Sequence, residues 1–194
     1  MRMNKLYRLS FLLAYACFQQ AYAEVFLIDA ARSSASFEVG YFPSGKVTGL
    51  LQRVTGKVEM DVKTKQGAGE VVFDMSMVET GNGITNSFIR SSKVFDIKKY
   101  PTMQFRPTRF DFEGEYLSAV NGDLVLHGVT RSIRLEVKQF SCFDNGVDNG
   151  QYSACKGEFT TVVYRSHFGM GRYQFFVDDD VLIDVTLAFD RRMP

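Results

Sequence analysis

Tryptophan is absent from the 194 residues, and proline occurs only 4 times. So little proline leaves long stretches of backbone free to join hydrogen-bonded ladders. Histidine occurs twice, at His127 and His167. A metal centre would need both of them plus carboxylates gathered from distant turns, so the two are read as turn and loop residues making hydrogen bonds. Asp178-Asp179-Asp180 is read as a charged turn before a strand rather than as a calcium site. The chain has no Gly-x-Ser-x-Gly elbow, no phosphate loop and no His-Glu-x-x-His. The usual signatures of serine hydrolases, nucleotide enzymes and zinc peptidases are therefore missing. No catalytic residue, metal site or cofactor is expected. Charge excess is missing too, with 23 Lys+Arg against 22 Asp+Glu. Without a basic field, nucleic acid is not expected as a partner. No segment reaches the roughly 18 apolar residues of a membrane span, so the protein is not expected to be membrane-integral.

The N-terminus has a character of its own. Arg2, Lys5 and Arg8 precede an apolar run from Leu9 to Phe18, and Ala21-Tyr22-Ala23 follows. That order is a signal peptide over residues 1–23, with a small-x-small cleavage site and a mature start at Glu24. Export to the periplasm is the expectation. Cys17, after Ala14-Tyr15-Ala16, is the alternative as a lipid acceptor, and its flanks fit that pattern less well. Losing the leader takes the formal charge from +1 to about −2. It also removes Cys17 and leaves Cys142 and Cys155, an even pair in an oxidising compartment. One disulfide is expected, closing the Asn-, Asp- and Gly-rich loop from Phe143 to Ala154 and contributing roughly 3 kcal/mol. Two free thiols are the alternative.

What remains, residues 24–194, shows no repeat, linker or composition break and reads as one domain. Its dominant pattern has period two. Val54, Val58, Met60 and Val62 alternate with charged neighbours. Val71, Phe73, Met75 and Met77 share one face of Glu70 to Glu79. Met103 and Phe105, then Leu124 and Leu126, then Ile133, Leu135 and Val137 do the same. The last segment sets Val181, Ile183, Val185, Leu187 and Phe189 against Asp180, Asp184, Thr186 and Asp190. Shorter strands are expected at Val25–Ile28, Ala35–Tyr41 and Gly157–Val163. Turns are expected at Gly67-Ala68-Gly69, Phe112-Glu113-Gly114, Asn121-Gly122 and, as a tight hairpin, His127-Gly128-Val129-Thr130. Ile84 to Val94 has helical spacing instead, and Pro101 follows it. Eight or nine antiparallel strands with one short inserted helix predict an all-β protein: a closed, lipocalin-like barrel of eight strands, with a two-sheet sandwich as the alternative.

Three stretches carry a family resemblance. The first is Phe26-Leu-Ile-Asp29 followed by Ser34-Ala-Ser-Phe37. The second is Asn86-Ser-Phe-Ile-Arg90-Ser91 to Phe95-Asp96, running on through Tyr100-Pro101 to Phe105. The third is Gly122 to Thr130 around His127-Gly128, with Arg165-Ser-His-Phe168-Gly169-Met170 later. In this order they resemble the YceI family of bacterial lipocalin-like proteins over nearly all of residues 24–194. The chain departs from the family pattern at Thr85-Asn86, where Arg-Asp is usual, and at Val94, where Phe is common. The resemblance implies a long apolar tunnel holding a polyprenyl chain, an isoprenoid quinone or a similar lipid. It also allows a homodimer. The function it implies is non-catalytic carriage of that ligand. The alternatives are a scavenger of hydrophobic compounds and an enzyme acting on a quinone or lipid in the same cavity.

The 18 Phe and 8 Met residues give that implication a physical basis, because rings and flexible thioethers pack well around apolar guests. The candidate ligand-binding set is Phe37, Val39, Met75, Met77, Phe88, Phe95, Met103, Phe105, Phe168 and Phe176. About half of it is expected to touch the cavity and the rest to fill core. Arg90, Arg165 and Arg172 are candidates for a polar headgroup.

Overall fold

The computed structural model describes residues 24–61, 66–143 and 154–191. The expected signal peptide and Cys17 lie outside the described residues, as do Val62 and most of the loop between the two later cysteines. The strands run in chain order: β1 (Glu24–Ile28), β2 (Ser34–Tyr41), β3 (Gly45–Leu51), β4 (Val54–Asp61), β5 (Gln66–Asp74), β6 (Thr102–Glu113), β7 (Tyr116–Leu126), β8 (Val129–Phe143), β9 (Ala154–Tyr164) and β10 (Val177–Arg191). One helix, α1 (Gly83–Arg90), lies between β5 and β6.

All pairings are antiparallel, in the order β1-β4-β5-β6-β7-β8-β9-β10, and a β1–β10 pairing closes that ring. Eight strands thus form the expected closed barrel. The β2–β3 hairpin is additional and is hydrogen-bonded to β10 through β2. Inward faces are apolar: Val71 and Phe73, Leu124 and Leu126, Phe159 and Val163, and Ile183 to Phe189 at every second residue are buried. Outward faces carry ion pairs such as Arg106–Glu70, Lys138–Asp184 and Lys156–Glu158. That is the reverse of a lipid-facing barrel, whose outer band is apolar. Among the described residues no helix is long and apolar enough to cross a membrane.

Closure depends on β10. One edge pairs with β9 from Asp180 to Asp190. The other edge pairs with β2 up to Thr186 and with β1 from Phe189. Between the two partners Ala188 would be left bare. Instead its N–H donates to Ser33 Oγ at 2.9 Å, and its carbonyl accepts from the Asp29 N–H at 2.9 Å. Arg32 then spans Asp29 and Asp190 across the seam, at 2.5 and 2.6 Å.

The tight hairpin is present: β7 ends at Leu126 and β8 starts at Val129, with His127 at φ 52° and Gly128 at φ 76°. Both central residues in the left-handed region make it the turn type that suits twisted strands. The turn after Phe112 falls at Gly114, which has φ 65°. Two other expected turns are strand. Gly67 and Gly69 pair with Met60 and Val58, and Gly122 pairs with Ile133. A Cβ at Gly69 would lie 2.5 Å from the Lys57 carbonyl oxygen, and one at Gly122 would lie 2.4 Å from that of Arg106. These glycines permit close backbone approach within the sheet rather than a reversal of the chain. The face expected to run through Met77 also ends early. The strand stops at Asp74 and Met75–Met77 is a 3₁₀ turn, so the period changes from two to three. Met75 stays buried while Met77 is 39% exposed. The helix is shorter than its periodic pattern. Beyond Ser91 the chain folds back, with the Phe95 N–H on the Ile89 carbonyl.

Cys142 and Cys155 face each other across β8 and β9 and form the expected disulfide.

Two measurements test these contacts. Ser33→Ala leaves the buried Ala188 N–H without an acceptor, and is expected to lower unfolding free energy by about 1–3 kcal/mol in urea titration. Asp111 accepts from Asn121, Arg109 and Arg134, and these hydrogen bonds hold its carboxyl down to about 2. Asp29, Asp179, Asp184 and Glu79 are lowered in the same direction by hydrogen bonds from Arg32, Ser166, Lys138 and Asn86. A depressed folded-state value means that the unfolded chain takes up the proton first. Their stabilisation is therefore complete above the ordinary carboxylate range and is lost as pH falls from about 4 toward about 2. The urea midpoint should drop over that window, and Asp111→Asn should flatten the drop.

Candidate functional site

The barrel is filled at one end and hollow at the other. Around β1 the interior is packed with rings, including Phe26, Phe73, Phe105, Phe159 and Phe189. Toward the β2–β3 hairpin lies a cavity of ≈ 200 Å³. Its walls are Phe37, Val39, Val47 and Leu51 from the hairpin, Met103, Leu126, Val163 and Ile183 from the ring, and Ile89, Val94 and Phe95 from α1 and the segment after it. Beneath it sit voids of ≈ 30 and ≈ 50 Å³. The first shares Met103 and Ile183 with the cavity above. It shares Val71, Phe105, Leu135 and Leu187 with the void below. The three spaces form one line, divided by side chains rather than by backbone. A wider hollow of ≈ 610 Å³ lies among the ends of β6, β7 and β8, where Glu113, Glu115, Lys138 and Gln139 give it mixed polarity.

No ladder closes the barrel on the α1 side of the cavity. There the wall is the segment from Val78 through α1, and it is fastened at few points. Leu50 and Glu79 exchange backbone hydrogen bonds of 2.8 and 2.9 Å. The Asn82 side chain caps α1 by accepting from the Ile84 and Thr85 N–H groups. Asn86, 6% exposed, accepts from the Thr80 N–H and hydroxyl and donates to Glu79. Asn86 stands where the sequence departs from the family pattern, and its use as a buried anchor was not legible there.

Six of the ten candidate residues line the cavity: Phe37, Val39, Met75, Phe88, Phe95 and Met103. Phe105 lines the two lower voids. Met77, Phe168 and Phe176 do not border these spaces. Met77 has rotated outward in the 3₁₀ turn. Phe168 is 1% exposed and packs in the core from the turn Arg165–Phe168, with its carbonyl 3.2 Å from His127 Nδ1. Phe176, 64% exposed, lies outside near the opening. Sequence reasoning missed Val47 and Leu51, because Gly45 and Gly49 mask the strand they belong to. Val163, Val181 and Ile183 did carry the period-two signal.

Polar groups sit at the opening. Arg165 is wholly engaged in structure: it donates to the carbonyls of Asp178, Met170, Arg172 and Val177. Arg90 donates to the Val78 carbonyl. Arg172 and Lys93 line the opening and are exposed. Asp179 accepts from the backbone and hydroxyl of Ser166 and so fastens the turn before β10. Neither histidine borders the cavity. His127 stacks on Tyr100 at 4.6 Å, and His167 on Tyr164 at 5.3 Å. Among the described residues no three His, Cys, Asp or Glu side chains converge as metal ligands would.

The same architecture recurs in solved structures. BcnA of Burkholderia cenocepacia superposes with a TM-score of 0.69 at 21% identity, over 83% of this chain and 98% of that one. A polyisoprenoid-binding domain from Saccharophagus degradans, implicated in plant cell wall breakdown, gives 0.66 at 17% identity over 88% and 99%. By sequence, a UPF0312 protein of Vibrio parahaemolyticus is 29% identical over 121 residues, 61% of this chain and 64% of that relative. One from Vibrio cholerae is 28% identical over 116 residues, spanning 58% and 61%. The chain thus spans less than two thirds of these relatives' length. The family model of the YceI-like domain matches residues 26–189, from the third residue of β1 almost to the end of β10. With the barrel and its cavity, that match shows that the chain belongs to the YceI-like domain family.

Proposed function

We propose that this protein is a non-catalytic carrier that holds a long isoprenoid, or a similar amphiphilic lipid, in its barrel. One observation carries the reading: an apolar cavity inside a closed barrel, open at one end and continued below by two voids in line. Each methylene moved from water into such a space contributes about 0.8 kcal/mol. Met103 and Ile183 lie between the first two spaces, and the flexible thioether of Met103 yields readily to a threading chain. The polyisoprenoid-binding neighbour supports the same ligand class. An enzyme acting inside this space would need polar groups at depth. The cavity wall offers Ser36 and Thr85, with the exposed Tyr41 and Tyr173 and its cations. The basic, apolar and Ala-x-Ala order of residues 1–23 and the Cys142–Cys155 disulfide support export to the periplasm.

The wall is thin where the ligand would lie. Phe37 pairs with Gly49 across β2 and β3, and a Cβ at Gly49 would fall 2.2 Å from the Phe37 ring. The ring therefore lies flat on the hairpin and leaves the lumen free. Gly49→Val is expected to push that ring into the cavity and cut ligand occupancy severalfold, with little loss of stability. Occupancy is read by native mass spectrometry and thermal unfolding.

The carrier reading is tested on the full chain purified from periplasm, by native mass spectrometry and analysis of an organic extract. A stoichiometric polyprenyl, quinone or fatty species is the expected result. An empty protein that also takes up neither geranylgeraniol nor an isoprenoid quinone would overturn it.

A further inference from the structure

Next in sequence to residues that line the cavity stand side chains that a water-facing surface rarely exposes. Ile84 is 84% exposed, Phe42 70%, Phe175 87% and Phe176 64%. They come from three separate segments, and their neighbours bring them to one place. Ile84 precedes Thr85 and stands one helical turn before Phe88, and both of those residues line the cavity. The Phe88 ring packs on Tyr173, another lining residue, at 5.8 Å. Phe175 and Phe176 connect Tyr173 to Val177, which lines the cavity as well. The Phe176 carbonyl accepts from the Phe42 N–H at 2.8 Å, and Phe42 follows the lining residue Tyr41. Large apolar side chains in a contiguous exposed patch mark an interaction surface.

Charge narrows the choice of partner. Lys93 and Arg172 lie on the same opening, and neither is engaged in an ion pair among the described residues. On the outer wall, by contrast, cations such as Arg106, Arg134 and Lys138 are paired with carboxylates. Asp178, at the start of β10, lies back over Gly40 of the wall. Rings and aliphatic side chains with free cations among them match the boundary between headgroups and acyl chains in an anionic bilayer. The geometry adds a second argument. The exposed apolar residues adjoin cavity-lining residues on three segments, so a partner seated on them would face the opening, and a bilayer would be continuous with the cavity interior.

We infer that this rim docks on an anionic lipid bilayer, with Ile84, Phe42, Phe175 and Phe176 in the interface and Lys93 and Arg172 against lipid phosphates. An apolar ligand then passes between membrane and cavity without crossing water. The passage rests on the carrier reading; the docking itself does not.

The test is co-sedimentation of the full exported chain with vesicles of phosphatidylethanolamine and phosphatidylglycerol, and with phosphatidylcholine vesicles. Uptake of N-phenyl-1-naphthylamine from an ethanol stock reports separately on the cavity. The wild type should sediment with the anionic vesicles and bind the neutral ones about tenfold less. The double variant Ile84→Ser/Phe175→Ser should lose about tenfold in vesicle affinity while keeping its unfolding midpoint and its dye uptake. Lys93→Glu/Arg172→Glu should weaken binding to the anionic vesicles alone. Vesicle binding without dye uptake would support docking and remove the carrier reading. A wild type that does not sediment, or a serine variant that sediments equally, overturns the proposal. So does a wild type that self-associates in sedimentation velocity while the serine variant is monomeric, since the rim would then meet a second copy.

Discussion

The structure depends on the two edges of β10. One edge is committed to β9 along most of its length. The other is divided between β2 and β1, and the division at Ala188 sets the shape of the molecule. Below it, β1 completes a ring of eight strands, and such a ring is narrow enough for side chains to fill. Above it, β2 carries β3 away from the ring, and among the described residues no strand returns to meet β3 beyond the bridge of Leu50 with Glu79. The gap is covered by α1 and its flanking turns. One end of the barrel is therefore closed by hydrogen-bonded sheet and the other by a side-chain-anchored cover. The cavity lies where the closure changes from one kind to the other.

That division explains the chemistry of the lining. Backbone polar groups on the ladder side are already paired, so the wall can be wholly apolar without desolvation cost. On the cover side the polar groups that cannot join a ladder are satisfied locally. Asn82 caps α1, Asn86 ties Thr80 to Glu79, and Arg165 collects four carbonyls, two from the turn before β10 and two from its first residues. Of the three arginines that looked like headgroup ligands, Arg165 is consumed in holding that turn. The cations left free sit at the edge, where water or a lipid phosphate can solvate them.

The barrel was legible because period-two alternation survives in stretches of most long strands, such as Val181 to Phe189 and Leu124 to Leu126, and the His127-Gly128 turn needs only its two central residues to be recognised. Three things were hidden, each for a physical reason. Glycine reads as a turn signal, yet at Gly67, Gly69 and Gly122 it serves close backbone approach, and at Gly49 it makes room for a ring; β3 was lost with it. A change from extended to 3₁₀ backbone after Asp74 breaks the period without changing composition, which sent Met77 outward. Finally, an aromatic residue has the same identity in a core, in a lining or on a rim. Phe168, Phe95 and Phe176 occupy these three settings, all outside the strands, and only their surroundings in the fold tell them apart.

The hollow end also constrains energetics. An apolar void costs about 24 cal/mol per Å³ relative to a filled core. For ≈ 200 Å³ the upper bound is about 5 kcal/mol, comparable with the whole stability of a small domain. Side chains could have removed that cost, since larger residues at Val39, Val47 or Val163 would fill the space from three directions. The sequence instead places valines there, and a Phe37 ring that lies over Gly49. The filled half can tolerate an empty one because the ladders of β4 to β10 do not run through the cover. An occupant of the cavity therefore supplies the packing that the chain omits, and its binding and the stability of the open end become a single quantity.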